Sequence, residues 1–502
     1  MHKLHRRLLL FLSLVAVAVT AAGAAAPGAS AVSCKQKLFD GGGYIFDSYI
    51  EASTPPTVSD YFGDFGEGGS NGPADTPPGP VETDDAYDDW GDVYLFSPGA
   101  DVETPSVDNK YLGGEESCLA VPNEIVFPVT PMFGLQVQHR IYVDPNSSSR
   151  GARILNTLHN PSGAPITITV VEGDPDASGN LGSDNETTAH QTSDGSGVFS
   201  PNAVWGVTSD NKALTGVDFD PALAHVWDGV GGAIRASEVV LGKPEADDLY
   251  YVWKSVTVPP GGTASLISYE IENAVPGREA AAEATLAASQ AQARESQSLA
   301  SLYTGMSSAE VAGTLNWPRP VPTAAIAPVK KPNAATKITL TSASVEGSGL
   351  AQCGIATYSW TTSDGATGTG PTLKHLFKAG NRSATLTVTT ACGGSATVTT
   401  SFKVAKAFKL GKVKTNSKKG TATIKVNALG AGKLTLSGKG LKKQTKTLKK
   451  AGKVALAVLP TSKTLSKLAK SGKAKVKATV SFKPQGGKPV KLKKGVVLKL
   501  AG

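Results

Sequence analysis

Apolar and polar residues alternate with a period of two along most of this chain of 502 residues, and period two predicts strands. Leu135, Val137, His139, Ile141 and Val143 share one face of a first run; Ile154, Asn156 and Leu158, then Ile166, Ile168 and Val170, do the same in the next two. Asn160-Pro161-Ser162-Gly163 supplies a turn, and Pro259-Pro260-Gly261-Gly262 is read as the turn of a hairpin joining 250–258 to 264–271. Before Glu124 the pattern weakens. Residues 40–124 hold 19 acids and one lysine, Lys110, among Gly and Pro, with short apolar runs such as Tyr44-Ile45-Phe46 and Val93-Tyr94-Leu95-Phe96 as the only strand material.

The texture changes after Pro276-Gly277. Residues 278–303 are rich in Ala, Glu and Gln, with Leu286, Leu299, Leu302 and Tyr303 as a sparse apolar stripe, and predict a helix that acts as a spacer or packs weakly. Ser307 and Glu310 form a capping-box pattern ahead of a second, short helix. Prolines 320, 322, 328 and 332 then make a stiff linker. Alternation returns near the C-terminus in Ala422, Ile424 and Val426, in Leu434 and Leu436, and in Ala474, Val476, Ala478, Val480 and Phe482 with Lys473, Lys475 and Lys477 on the opposite face. Pro460-Thr461-Ser462 before 463–471, with Gly472 after it, reads as one capped helix among those strands. The expected fold is mainly β: several antiparallel β-sandwiches with a short helical segment and a Pro-rich linker. The segments are a leader at 1–31, an acidic β domain at 32–275, a helical segment at 276–316, a linker at 317–335, a sandwich at 336–405 and a lysine-rich sandwich at 406–502.

Charge sharpens this division. Residues 403–502 contain 28 lysines with no arginine and no acid, while all 42 acids lie before them. The basic n-region, the apolar 8–19 and Ala29-Ser30-Ala31 have the form of a secretion signal, with a mature start near Val32. No later stretch supplies the ~18 apolar residues of a transmembrane span. The chain is therefore expected to be secreted and associated with the cell surface. Four cysteines in an exported chain suit two disulfides; three pairings are open, and proximity favours Cys34 with Cys118 and Cys353 with Cys392.

Within 336–404, Trp360, the Asp364-Gly365 turn, His375 with Phe377, Gly380 and the alternating Ala384, Leu386 and Val388 resemble the polycystic kidney disease (PKD) family of immunoglobulin-like domains. The resemblance implies a seven-strand sandwich used as a spacer or binding module, with Cys353 and Cys392 at one end of it. Thr361-Thr362-Ser363 stands where the family usually has Asp-Phe-Gly. The lysine-coated tail is similar to terminal β modules of proteins secreted by high-GC Gram-positive bacteria.

Catalytic chemistry is sparse. Gly68-Gly69-Ser70-Asn71-Gly72 fits a nucleophile-elbow pattern without the strand and helix that give it meaning. Asp218, Asp220, Asp228 and Glu238, near Phe219 and Trp227, keep open an exported carbohydrate-active hydrolase whose catalytic unit is 32–275. His190, with Asp184, Glu186 and Asp194 nearby in sequence, is a lesser candidate site. Asp174, Asp176, Ser178 and Asn180 place oxygen ligands at alternate positions with Gly179 at the sixth, the pattern of a calcium loop, although Asn185 stands at the twelfth. The acids Glu82, Asp84, Asp85, Asp88, Asp89 and Asp92 form a vaguer second candidate. In the tail, without Arg, Trp or Tyr, neither base-edge recognition nor base stacking is available, so specific nucleic-acid binding is not expected. Lys473, Lys475 and Lys477 suit point-charge binding of anionic cell-wall polymers or acidic glycans. The reading favoured by these observations is a non-enzymatic, modular surface-binding protein.

Overall fold

The computed structural model describes residues 37–39, 45–47, 92–111, 119–121, 123–146, 151–173, 175, 181, 187–216, 221–243, 248–273 and 279–501. The leader, the 68–72 motif, the calcium-loop residues, Cys34 and Cys118 lie outside them.

Among the described residues, fifteen strands build the N-terminal domain: β1 Lys37–Phe39, β2 Ile45–Asp47, β3 Val93–Phe96, β4 Leu119–Val121, β5 Glu124–Val126, β6 Thr130–Met132, β7 Leu135–Val143, β8 Gly151–His159, β9 Ile166–Gly173, β10 Thr188–Thr192, β11 Trp205–Ser209, β12 Ala222–Val226, β13 Glu238–Leu241, β14 Leu249–Val258 and β15 Thr263–Asn273. One antiparallel sheet runs β10-β11-β12-β15-β8-β7-β5-β4, with β6 beside β7, and a second runs β13-β14-β9-β3. The facing residues of both, among them Leu135, Val137, Ile154, Leu158, Ile168, Val170, Leu266 and Trp253, form one core. The inward faces expected for β7, β8 and β9 are the observed ones.

The expected 250–271 hairpin is not formed. β14 pairs with β13 and β9, whereas β15 pairs with β12 and β8, so Pro259-Pro260-Gly261-Gly262 carries the chain from one sheet to the other. The 160–163 turn crosses in the same way, and buried Asn160 ties the two crossings together: its N–H donates to the Gly262 carbonyl and its side-chain amide to the carbonyls of Ala164 and Val258. Separate sheets follow from burial. β15 is buried along both faces, since helices cover the side turned away from β14.

Those helices are α1 Ala280–Glu295, α2 Leu299–Leu302 and α3 Ser308–Gly313. The packing stripe of α1 is Ala280, Ala284, Ala287, Ala288 and Ala291, at helical spacing, against β11, β12 and β15; Leu286 lies off it. Small side chains let the helix axis approach the sheet, so an alanine face packs closely here and the helix is no free spacer. α3 starts in the capping box of Ser307 and Glu310. Arg153 and Arg140 then fasten α2 and α3 to the sheet. Arg153 Nη1 donates to the carbonyls of Leu302 and Thr304, both at 2.8 Å, and Arg140 bridges Glu124 and Glu310 at 2.7 and 2.6 Å.

The middle module holds β16 Ile338–Thr341, β17 Ile355–Thr362, β18 Thr367–Thr369, β19 Thr372–His375, β20 Gly380–Thr390 and β21 Ser395–Val404, arranged as β16-β19 and β18-β17-β20-β21. The Pro-rich segment belongs to this sandwich: Thr323 bridges to Val345 and Ile326 to Ser342. Cys353 and Cys392 form a disulfide at the end of the module that meets the helices, in one apolar cluster with Leu302, Met306, Val311 and Trp317.

The last module has a three-stranded sheet, β22 Phe408–Asn416, β23 Thr421–Ala428 and β26 Gly452–Val458, facing a four-stranded sheet ordered β25-β24-β27-β28 from β24 Gly432–Ser437, β25 Gln444–Leu448, β27 Lys473–Pro484 and β28 Val490–Lys499. The expected helix is α4, Ser462–Ser471, ended by Gly472 at φ +68°. Only three residues separate β21 from β22, and Val404, Ala407, Phe408 and Phe482 continue one core across both modules.

Candidate functional site

The last module places its lysines by register. On β27, Lys473, Lys475 and Lys477 point outward between the buried Ala474 and Ala478, because successive strand residues face opposite sides. The outer face of that sheet also receives Lys433 from β24, Lys483 from β27, and Lys491, Lys493 and Lys499 from β28, all exposed. Lys473 lies directly opposite Lys499, and Lys433 opposite Lys483. Directly opposed like charges destabilise a sheet by roughly 0.2–1 kcal/mol per pair. The module contains no acid to offset them. The sheet therefore maintains a field that a polyanion would relieve.

The middle module presents a contrasting face. Thr367 and Thr369 of β18, Thr357, Ser359 and Thr361 of β17, Thr385, Thr387 and Thr389 of β20, and Ser395, Thr397, Thr399 and Ser401 of β21 fall in register on its outer side. Cross-strand hydroxyl contacts run Thr385–Thr399 at 2.8 Å and Thr387–Thr397 at 2.9 Å. The family-like residues sit on the other side and are structural. Trp360 is buried with Nε1 donating to the Gly370 carbonyl, and Asp364 accepts from the Lys378 amide while lying 3.3 Å from His375.

Between the sheets of the first module runs a polar chain that sequence reasoning reached only at His139 and Asn156. His139 Nδ1 donates to Asn156 Oδ1 at 2.6 Å, Asn156 Nδ2 donates to Glu172 Oε2 at 2.5 Å, and Ser268 donates to the other Glu172 oxygen. Glu270 accepts from His225 Nδ1 at 2.5 Å and from the Tyr251 hydroxyl at 3.1 Å, and Thr208 donates to His225 Nε2. The available signal was an acid at an inward position of a strand, as in Glu172 after Val170 and Glu270 after Ser268. Burial pushes Glu172 up to about 8, opposed by its bond from Ser268 and reinforced by Glu270, and drives His225 down to about 3. All these side chains are buried, so the chain of bonds fixes how the two sheets meet and reaches no solvent.

A pH dependence follows. A carboxyl whose folded pKa lies above its unfolded value holds a proton that the unfolded chain has released, so stability falls as pH rises from about 4.5 to about 8. We expect Glu172→Gln to make this decline shallower, measured as urea midpoints between about pH 4 and 9, with Asp228, also raised by burial, supplying the part that remains; an unchanged slope would assign the decline elsewhere.

Of the four acids kept as candidates, Asp228 and Glu238 lie among the described residues, and each is engaged by its own partners. Asp228 is buried, accepting from the Ala236 amide and from Trp253 Nε1, and burial raises it to about 7, whereas Glu238 is exposed and paired with Lys254. Asp218 and Asp220 lie outside the described residues. His190 meets Ser209 at 2.9 Å, and Asp194 is engaged by Thr192 and Ser196 in its own turn. A cleft of about 420 Å³ opens between β10 and β13, lined by Ala189, Val198, Phe199, Val239, Leu241 and Lys243. It is apolar and carries no carboxylate pair. Among the described residues no group of three or more His, Cys, Asp or Glu side chains could hold a metal, and no helix is long and apolar enough to cross a membrane.

Fold and surface together define a modular, mainly β protein with one cationic sheet face. Residues 320–405 match the family model described as PKD domain, so that module begins 16 residues before the boundary at 336, at the Pro-rich segment that pairs with it. No curated protein matches the chain. Solved structures similar to it include carbohydrate-binding modules of the β-sandwich superfamily, at 14% identity and TM-score 0.16, covering 36% of this chain and 93% of that one. A bacterial ice-binding adhesin matches at 13% identity and TM-score 0.17, covering 67% and 91%. A polysaccharide lyase matches at 7% identity and TM-score 0.22 over 66% of this chain, which spans 41% of the lyase.

Proposed function

We propose that this is a secreted, non-enzymatic surface-binding protein that holds anionic cell-wall polymers or acidic glycans on the lysine face of β24, β27 and β28. The β-rich N-terminal domain is then presented outward. The observation that carries the reading is the set of lysines sharing the outer face of β24, β27 and β28 in a module without acids. Solubility alone asks for about 2 to 8 net charges on a small domain, far below the 27 lysines of 406–502. Lysine is a hydrated point charge that follows a polyanion without demanding one geometry.

The test replaces charges and leaves the module in place, since removing residues 406–502 would uncover the core shared with Val404. The full chain carrying serine at Lys473, Lys475, Lys477, Lys491 and Lys493 is titrated against purified phosphodiester wall polymer and against a carboxylated glycan. Affinity near 0.1 M salt should fall about 100-fold or more, and the slope of log K against log salt should shrink by roughly 3 to 4. Equal affinity and slope in the variant would end the proposal.

A further inference from the structure

Among the described residues, several sheet edges carry protection. β28 carries Lys491, Lys493, Lys494 and Lys499, and β22 has Lys409, Lys412 and Lys414 and a register shift between Leu410 and Val413. β10 has five residues and a register shift, β13 has four, and β18 has three. Brevity, bulges and lysines are the usual means of keeping an edge from pairing with another chain. β21 has none of them. It runs ten residues, Ser395–Val404, with no proline, no charge before Lys403 and no register shift against β20.

The ladder's phase shows what the edge offers. Thr390 donates its amide to the Gly394 carbonyl, so alternation along the antiparallel pair turns the amides and carbonyls of Ser395, Thr397, Thr399, Ser401 and Lys403 away from β20. At the strand's far end Ala405 bridges to Asn333. Val398 and Phe402, which point into the sandwich, remain half-buried, as expected of an open margin.

We propose that β21 pairs antiparallel with β21 of a second copy about a two-fold axis at Thr399. The sequence is self-complementary in that register. Thr397 meets Ser401, and Ser395 meets Lys403, so each lysine lies across from serine and no like charges oppose. Every outward amide and carbonyl from Ser395 to Lys403 finds a partner, and the two hydroxyl-covered faces join into one eight-stranded surface. Such an interface is isologous, uses the same patch twice and closes at the dimer. A shift of register that set Lys403 against its mate would be penalised, which selects the centred pairing.

Sedimentation equilibrium of the full chain, from about 1 to 100 µM in roughly 0.5 M salt, tests this. The salt screens attraction between the acidic N-terminal domain of one copy and the basic module of another. We expect a monomer–dimer equilibrium, with exchange protection of the amides from 395 to 403 at alternate positions that rises with concentration. Thr399→Lys places two lysines on the axis and should weaken the dimer about tenfold or more. Thr385→Lys, on the same outer face but one strand inward, should leave the dimer intact, and both variants should melt like the parent. A parent that stays monomeric at 100 µM, or a dimer that Thr399→Lys and Thr385→Lys affect equally, would overturn the proposal.

Discussion

Replacing Arg153 by alanine will lower the unfolding free energy by about 3–5 kcal/mol, the usual cost of removing one partner from a buried ionic network. Arg153 is 1% exposed. Its guanidinium satisfies the carbonyls of Leu302 and Thr304, lies 3.5 Å from Glu124 and stacks over the Tyr142 ring at 4.7 Å. Alanine leaves those two carbonyls unmet under the helices and leaves Glu124 to Arg140 alone. The loss should be local first: α2 and α3 detach, exposing Trp317, whose indole packs on Tyr269. A tryptophan fluorescence change preceding the loss of far-UV β signal in urea checks this. Arg153→Lys keeps the charge without the two-carbonyl fork and should fall between. If both variants unfold at the parental midpoint, the helices are held by the alanine face and not by the arginines.

The second large effect is expected from Cys353→Ser with Cys392→Ser. Closing 39 residues of chain separation is worth about 4 kcal/mol in the chain-entropy description. The sulfurs also pack with Leu302, Met306 and Val311, and Gln352 donates to the Met306 carbonyl at 3.1 Å, so this end of the PKD module is its seat on the helical shelf. The double serine variant should lower the melting temperature of the module and loosen its contact with the first domain. Limited proteolysis near Pro320 reads the second effect. The variant is preferable to a reducing agent, which does not discriminate among the four cysteines of the chain. A melting curve identical to the parent's would show that the cluster alone holds the seat.

Much of this is legible in the sequence because its causes are local. His139 sits inward because a strand alternates, α3 begins at Ser307 because its hydroxyl and Glu310 cap each other, and α4 stops where Gly472 takes positive φ. The lysine face is legible for the same reason, since period two puts Lys473, Lys475 and Lys477 opposite a buried row. What escaped depends on distant partners. A Pro-Pro-Gly-Gly turn reverses the chain equally well within a sheet or between sheets, and burial of both faces of β15 decides the matter. Alanines at helical spacing resemble a solvated helix until a flat sheet is set against them. Glu172 and Glu270 read as acids in strands; only the register brings Asn156 and Ser268 to the one, and His225 and Tyr251 to the other. That β21 is an edge cannot be read from its own residues at all.

The Cys353–Cys392 bond also limits how far this chain can lengthen. A protein held at its lysine face and pulled through its first domain transmits tension along residues 320–405, because no slack joins β21 to β22. If that module yields, the 39-residue span inside the bond stays closed and withholds about 130 Å of contour, at about 3.4 Å per residue. Extension under force would then draw only on the residues of 320–405 outside the bond, a little over half of the module's contour, while the remainder stays closed behind the disulfide.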